Sequence, residues 1–342
     1  MAIKYPALIS AVVPFGAVVI ASGWRDKSLR GVIAFGLGVA VVMGPWLVKN
    51  GIDTGNPVYP LGYRVFGGRD WDDAREKQWT DAHGPRPIEA KAFFGSILDV
   101  AGRSDWQSPA FAAFAPLAFL WPRSRRLAWA IGGYVGYLFL TWWLLTHRLD
   151  RFWLPMLPGL AVLAGIGADG LRGKAWTALV AFVLVIATAS NFVYCSTALA
   201  GLNEWTGDLL AMRTGVPRML NPPLARLDAE LPLDARPLFV GQAAVFHLNH
   251  PVVYNTVFNR DTFEAIDRGR SPDEVRSELA RRGITHIFVD WFEIERYRSP
   301  GNYGFTSYVT PDRFERLVRA GVIAEPKALG TRQELFAVIP AS

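Results

Sequence analysis

The sequence predicts an α-helical polytopic membrane domain of about six spans followed by a small α/β extracytoplasmic domain. Three observations carry this expectation. Long apolar runs fill the first 199 residues, short basic clusters separate them, and the remaining residues alternate strand and helix patterns. The chain has 342 residues, 51% of them hydrophobic and only 19% charged. Its net charge of +6 invites a nucleic-acid reading, but the excess is unevenly placed. From Gly201 to Ser342 there are 17 Lys+Arg against 18 Asp+Glu, a net of −1. The surplus cations therefore sit among the apolar runs, which is the pattern of membrane orientation, and no nucleic-acid partner is expected. The single Cys195 rules out an intrachain disulfide framework.

The apolar runs lie at about 5–23, 31–48, 108–122, 128–146, 152–170 and 176–198, against the roughly 20 residues a helix needs to cross hydrocarbon. Trp24, Trp46, Trp121 and Trp176 stand at their ends, where indole rings suit the membrane interface. Basic residues mark three short linkers: Arg25, Lys27 and Arg30; Arg123, Arg125 and Arg126; Arg172 and Lys174. The positive-inside rule makes those linkers cytoplasmic. The loop 49–107, the 147–151 cluster and the domain 200–342 then share the extracytoplasmic side of a cell (inner) membrane. An even number of spans puts Met1 outside as well, yet "MAIKYPALIS" has no charged leader ahead of a short apolar core. The sequence is accordingly read as the C-terminal portion of a longer membrane protein, or as one whose start is misplaced.

The first external loop opens "PWLVKNGIDTGNPVYPLGYRVFGGRDWDD". Thr54-Gly55-Asn56-Pro57 is a turn signal, and Pro57 and Pro60 bracket a piece expected to be extended. Lys49, Arg64 and Arg69 supply cations, with Asp53, Asp70, Asp72 and Asp73 among them. Further on, Phe93, Phe94, Ile97, Leu98 and Ala101 share one helical face. That helix either lies in the interface plane or packs on the spans.

In the tail, "RPLFVG" and "HPVVYNT" read as short buried strands around a helix starting near Gln242. "SPDEVRSELARRG" is a capped amphipathic helix, "ITHIFVD" a strand and "TPDRFERLVRAG" a second helix, with "VIAEPKALGTRQELFAVI" as a closing hairpin. There is no dinucleotide fingerprint, Walker loop, Cys/His metal spacing or nucleophile elbow, so neither metal nor cofactor is expected. Asp290, at a strand end, is the tail's best single polar candidate and reads more readily as a solvated loop carboxylate.

A helix ending in "PW…KN", then "TGNPVYP", then a charged "H…RF.LP.LP" at the head of a later helix, together resemble the GT-C superfamily of integral-membrane glycosyltransferases. The stretch His147-Arg148-Leu149-Asp150-Arg151-Phe152 is similar to the family's luminal His-Lys-Glu-x-Arg-Phe pattern, with Leu149 in place of a carboxylate. The resemblance covers residues 1–199 loosely. It implies a transferase that moves a hexosyl or pentosyl group from a polyprenyl-phosphate carrier to a lipid, glycan or protein acceptor, in contact with membrane lipid. It also implies a catalytic carboxylate in an external loop upstream of this chain, so that the chain alone lacks it. Asp53, Asp70 and Asp150 are the weak substitutes.

A lipid phosphate at the interface needs cations at the end of a membrane helix. Lys49, His147 and Arg151 are the donor-phosphate candidates on that ground, with Arg64, Arg69 and Tyr59 as weaker substrate-loop candidates. The alternative for Arg148 and Arg151 is helix anchoring by snorkelling; Arg148 in particular is expected to tolerate Lys. Two other functions fit the same residues: a transporter or flippase for a lipid-linked sugar, and a non-catalytic membrane-anchored binding protein.

Overall fold

A computed structural model describes residues 7–84, 86–104, 107–149, 152–195, 222–246 and 248–340. It divides into two compact units, Met1–Lys49 with His83–Arg213, and Asn50–Ala82 with Thr214–Ser342.

Among the described residues, four helices are long and apolar enough to cross a membrane: Leu8–Arg25, Arg30–Thr54, Arg125–Leu145 and Lys174–Val193. The helices up to residue 195 are numbered in chain order: α1 (Val13–Arg25, continuing the π-helical turn Leu8–Val12), α2 (Arg30–Thr54), α3 (Tyr63–Phe66), α4 (Asp73–His83), α5 (Ala90–Leu98), α6 (Pro109–Phe114), α7 (Arg125–Leu145), α8 (Leu157–Ala168) and α9 (Lys174–Cys195). The outer faces of the four long helices are apolar and uncovered, with Trp24 84% and Val41 73% exposed. Water would tolerate such faces poorly, which is consistent with a membrane protein. The π-helical turn frees carbonyls from the usual ladder, and two tyrosines of α7 use them. Tyr134 Oη donates to Ser10 O and Tyr137 Oη to Ile9 O, each at 2.7 Å.

The runs at 108–122 and 152–170 do not reach spanning length. The first forms α6 (Pro109–Phe114) and a 3-10 segment Ala115–Leu120; the second forms a 3-10 turn Leu154–Met156 and α8 (Leu157–Ala168). Each is about 20 Å long at helical rise, short of the roughly 30 Å of a hydrocarbon core. Proline explains the shortening. Pro109 and Pro116 start the two pieces of the first run, and Pro155 and Pro158 those of the second. The two runs pack on each other through Ala110, Phe114, Ala115, Ala118, Leu163 and Ala164. Gly167 permits a close backbone approach, since a Cβ there would fall 1.9 Å from Phe114 O. The last carbonyls of α8 are closed by indoles, Trp121 Nε1 donating to Gly167 O at 3.1 Å and Trp176 Nε1 to Ala168 O at 2.7 Å.

The second unit holds a four-stranded sheet in the order β1-β2-β4-β3, where β1 is Pro237–Val240, β2 His286–Asp290, β3 Lys327–Ala328 and β4 Gln333–Ala337. β1 and β2 are parallel; β4 runs antiparallel to both its neighbours. Residues alternate between two buried faces. Leu238, Val240, Ile287, Val289 and Phe336 face a core with Phe263, Ile266, Val275, Leu279, Phe314 and Leu317. Phe239, Phe288 and Leu335 face the opposite core with Leu224, Leu227 and Leu231. The helix Pro272–Arg281 carries the capping box read from Ser271 and Glu274.

Several details of the tail differ from expectation. No helix starts near Gln242, because its Oε1 accepts from the Ala243 and Ala244 amides at 2.9 Å and competes with the helical ladder. "HPVVYNT" contributes a single bridge, Leu238 with Val253. Asp290 is buried rather than solvated: it caps the helix Trp291–Arg298 and accepts from Gln242 Nε2 at 3.3 Å and Gln333 Nε2 at 3.1 Å.

Residues 50–82 belong to this same unit. The stretch after Pro57 is turn, not extended, and includes a cis Tyr59–Pro60 bond. Asn56, fully buried, sets the turn: its Oδ1 accepts from Val58 N, and its Nδ2 donates to Leu61 O and Gly67 O, all at 2.9 Å. Trp71, Trp79, Phe258 and Tyr303 then pack ring on ring, with centroids 5.4–6.2 Å apart in each contacting pair.

Candidate functional site

The site builds from the turn that ends α7. Thr146 leaves the helix in an extended conformation, its Oγ1 donating back to Trp142 O at 2.7 Å and accepting from Arg148 N at 3.1 Å. Arg148 takes the left-handed region, φ 58°, rare for a residue with a side chain. Trp142 Nε1 fixes the far side of the turn by donating to Leu149 O at 2.9 Å. Beneath lie Trp142, Trp143, Trp153 and Met156, all buried, with Phe93 of the helix Ala90–Leu98 edge-on to Trp143 at 5.0 Å.

Arg148 is not a snorkelling anchor. Its Nε donates to Trp143 O at 3.0 Å and its guanidinium lies 4.2 Å over the Trp143 ring. Its Nη2 donates to Arg86 O at 3.4 Å and to Pro87 O at 3.2 Å. A single ammonium cannot reproduce a stacked fork bonded in two directions, which argues against the expectation that Lys replaces it freely. Burial, and then the nearby Arg86 charge, lower the Arg148 pKa; the group stays a cation.

His147 is half-buried one residue earlier, with Phe152 edge-on at 5.1 Å. His83, the last residue of the helix Asp73–His83, is a further neighbour, at 4.8 Å between centroids and 89° between planes. Sequence reasoning missed His83. Its one local signal is that it closes a polar helix before Gly84 and Pro85, and no spacing rule pairs it with His147.

The chain was compared with protein-family models and with curated proteins, and matched none.

The remaining candidates fall as follows. Lys49 is exposed near the end of α2, in the unit that contains His147. Asp150 and Arg151 lie outside the described residues. Asp53, Tyr59, Arg64, Arg69 and Asp70 belong to the other unit. There Asp53, Arg64 and Arg69 are exposed, and the Asp70 carbonyl accepts from Arg75 Nη1 at 2.9 Å. Tyr59 packs against Trp71 at 5.8 Å and donates its hydroxyl to Phe258 O. Burial, reinforced by the Asp70 charge, pushes its phenol up to about 12. Among the described residues no group of three or more His, Cys, Asp or Glu is arranged to hold a metal ion.

Proposed function

We propose that this chain is the donor-binding part of an integral-membrane glycosyltransferase that takes a sugar from a polyprenyl-phosphate carrier on the extracytoplasmic side of a cell membrane. The observation that carries the reading is the position of His147. It lies two residues beyond Leu145, the end of a helix of spanning length, and it is half-buried among aromatic rings. A lipid phosphate whose tail stays in hydrocarbon presents its head group at that depth. In the transfer, an acceptor oxygen bonds to the anomeric carbon while the bond from that carbon to the phosphate oxygen breaks. The acceptor loses its proton to a base, and the carrier phosphate leaves with the electron pair. His147 stabilises that leaving oxygen or protonates it. Arg151 and Lys49 add positive charge on the sequence reading, and the base is unassigned.

The test is sugar transfer by the protein in native membranes, with the polyprenyl-phosphate donor titrated at fixed acceptor. His147→Gln and Arg151→Ala should each weaken donor use by about tenfold to a hundredfold, the equivalent of one charge-assisted bond. Unchanged donor dependence in both variants rejects the reading.

A further inference from the structure

The helix α5 (Ala90–Leu98) is apolar on two sides, and protein covers only one of them. Inward, Phe93 meets Phe139 and Trp143 of α7 edge-on, with centroids 5.7 and 5.0 Å apart. Just past the helix, Val100 is buried with Leu138, Trp142 and Trp153. Outward, Phe94, Ile97 and Leu98 are exposed, Phe94 by 68%. The spacing of these three puts them on one arc with Ala90, and Lys91 stands at its rim. We propose that α5 lies in the membrane interface, fastened to α7 by Phe93 and covered by lipid chains over Phe94, Ile97 and Leu98. This rests on α7 crossing the membrane and is independent of sugar transfer.

Depth is the first argument. Arg148, beyond the end of α7, holds the segment before α5 through Arg86 O and Pro87 O. From there the chain runs back along α7 until Val100 reaches the level of Leu138. Leu138 precedes Leu145, the last residue of α7, by seven positions, which at helical rise is about 10 Å. An interfacial helix buries its apolar face to roughly that depth. Continuity is the second argument: Leu140 and Leu144, each next in sequence to a residue that Phe93 touches, are themselves exposed. The uncovered surface of a helix of spanning length therefore continues onto α5. The polar groups agree with an apolar surrounding. Ser96 donates its hydroxyl to Ala92 O at 2.8 Å, and Asp99 pairs with Arg103 at 3.0 Å. Glu89 and Lys91 stand at the shallow end, by the head groups. In water, a helix packed by one face shows a polar stripe on the other; α5 shows Phe94, Ile97 and Leu98.

The test attaches a polarity-sensitive fluorophore to single cysteines of the full chain in lipid nanodiscs, in a Cys195→Ser background. Labels go on Phe94→Cys, Ile97→Cys and Leu98→Cys, on Lys91→Cys at the rim, and on Leu140→Cys of α7 as the reference. Quenching is read with lipids that carry a nitroxide on the head group or on the acyl chain. Labels at 94, 97 and 98 should emit to the blue of the label at 91 and lose most of their emission to the acyl-chain nitroxide, as the reference does. The label at 91 should lose more to the head-group nitroxide. If the reference is quenched and the three α5 labels are not, the proposal is overturned while α7 still crosses. If the reference is not quenched either, the membrane placement of α7 falls and the proposal with it. Three labels blind to lipid nitroxides whose emission shifts on dilution into empty nanodiscs would show a second copy on this face, which also overturns it. Because each label replaces a different exposed side chain, a single one that perturbs folding leaves the other two to decide.

Discussion

Asp261 shows how one buried residue couples the α/β unit to pH. Its Oδ1 accepts from the Glu264 amide at 2.8 Å and so caps the helix Thr262–Asp267. Burial pushes its carboxyl up from 3.8 to about 6, aided by the Glu264 charge and opposed by the capping bonds. Between those two values the folded state holds the more protons, so stability falls as pH rises through the interval. Asp261→Asn keeps a capping oxygen and removes the charge. It should stabilise the unit by about 1–2 kcal/mol at pH 7.5 and by nothing at pH 3.5, as read by chemical denaturation at both values. A uniform loss would show that the cap itself needs the carboxylate. At the same scale, Asp290 reads as solvated in the sequence and is buried in the structure, because a charged side chain at an element end reads as solvated until its donors are known.

Among the elements, the segment 50–82 behaves as part of the α/β unit. Asn56 closes its turn with three bonds from a fully buried side chain. Asn56→Ala strands those groups and should cost about 2 kcal/mol. Trp71 is buried against Tyr59, Trp79 and Phe258, so Trp71→Ala should cost about 3 kcal/mol. Both are measured by denaturation of the α/β unit within the full chain. Residues 205–342 expressed alone would leave Phe258 and Tyr303 without Trp71 and Trp79. They should fold with a lower denaturation midpoint than the same residues joined to 50–82; equal midpoints would make that aromatic cluster energetically idle. The strands and the capped helix were legible because period-two burial and Ser271-Pro272-Asp273-Glu274 are local signals. The attachment of 50–82 was not, since Trp71 and Phe258 meet only after folding.

For the whole molecule, sidedness turns on the two short apolar runs. If they cross together with the four long helices, the linkers 24–30 and 122–126 lie on one side and both are basic, as orientation by positive charge requires. If the first does not cross, Arg123, Arg125 and Arg126 fall on the side opposite Arg25 and Lys27. The basic linkers favour the crossing arrangement, in which each short helix crosses with its flanking residues and a locally thinned bilayer making up the missing length. Reporters inserted at Ser28 and Ser124 should then report the same compartment, and a reporter at Ser342 the other; opposite compartments for the first two would remove the crossing and, with it, the extracytoplasmic placement of the end of α7.

The sequence by itself determined that apolar runs, read there as about six spans, fill the first 199 residues, that a charge-balanced α/β segment follows, and that polar residues gather where one of those runs ends. Each is a property of neighbours in the chain, set by hydropathy, periodicity or a cap. Tertiary structure decided that the runs at 108–122 and 152–170 stop short of spanning length and pack on each other, that 50–82 joins the tail, and that His83 meets His147 under the hold of Arg148. These depend on contacts between distant residues, where the free energy comes from shared burial and from donors meeting acceptors, and a one-dimensional pattern carries no record of either.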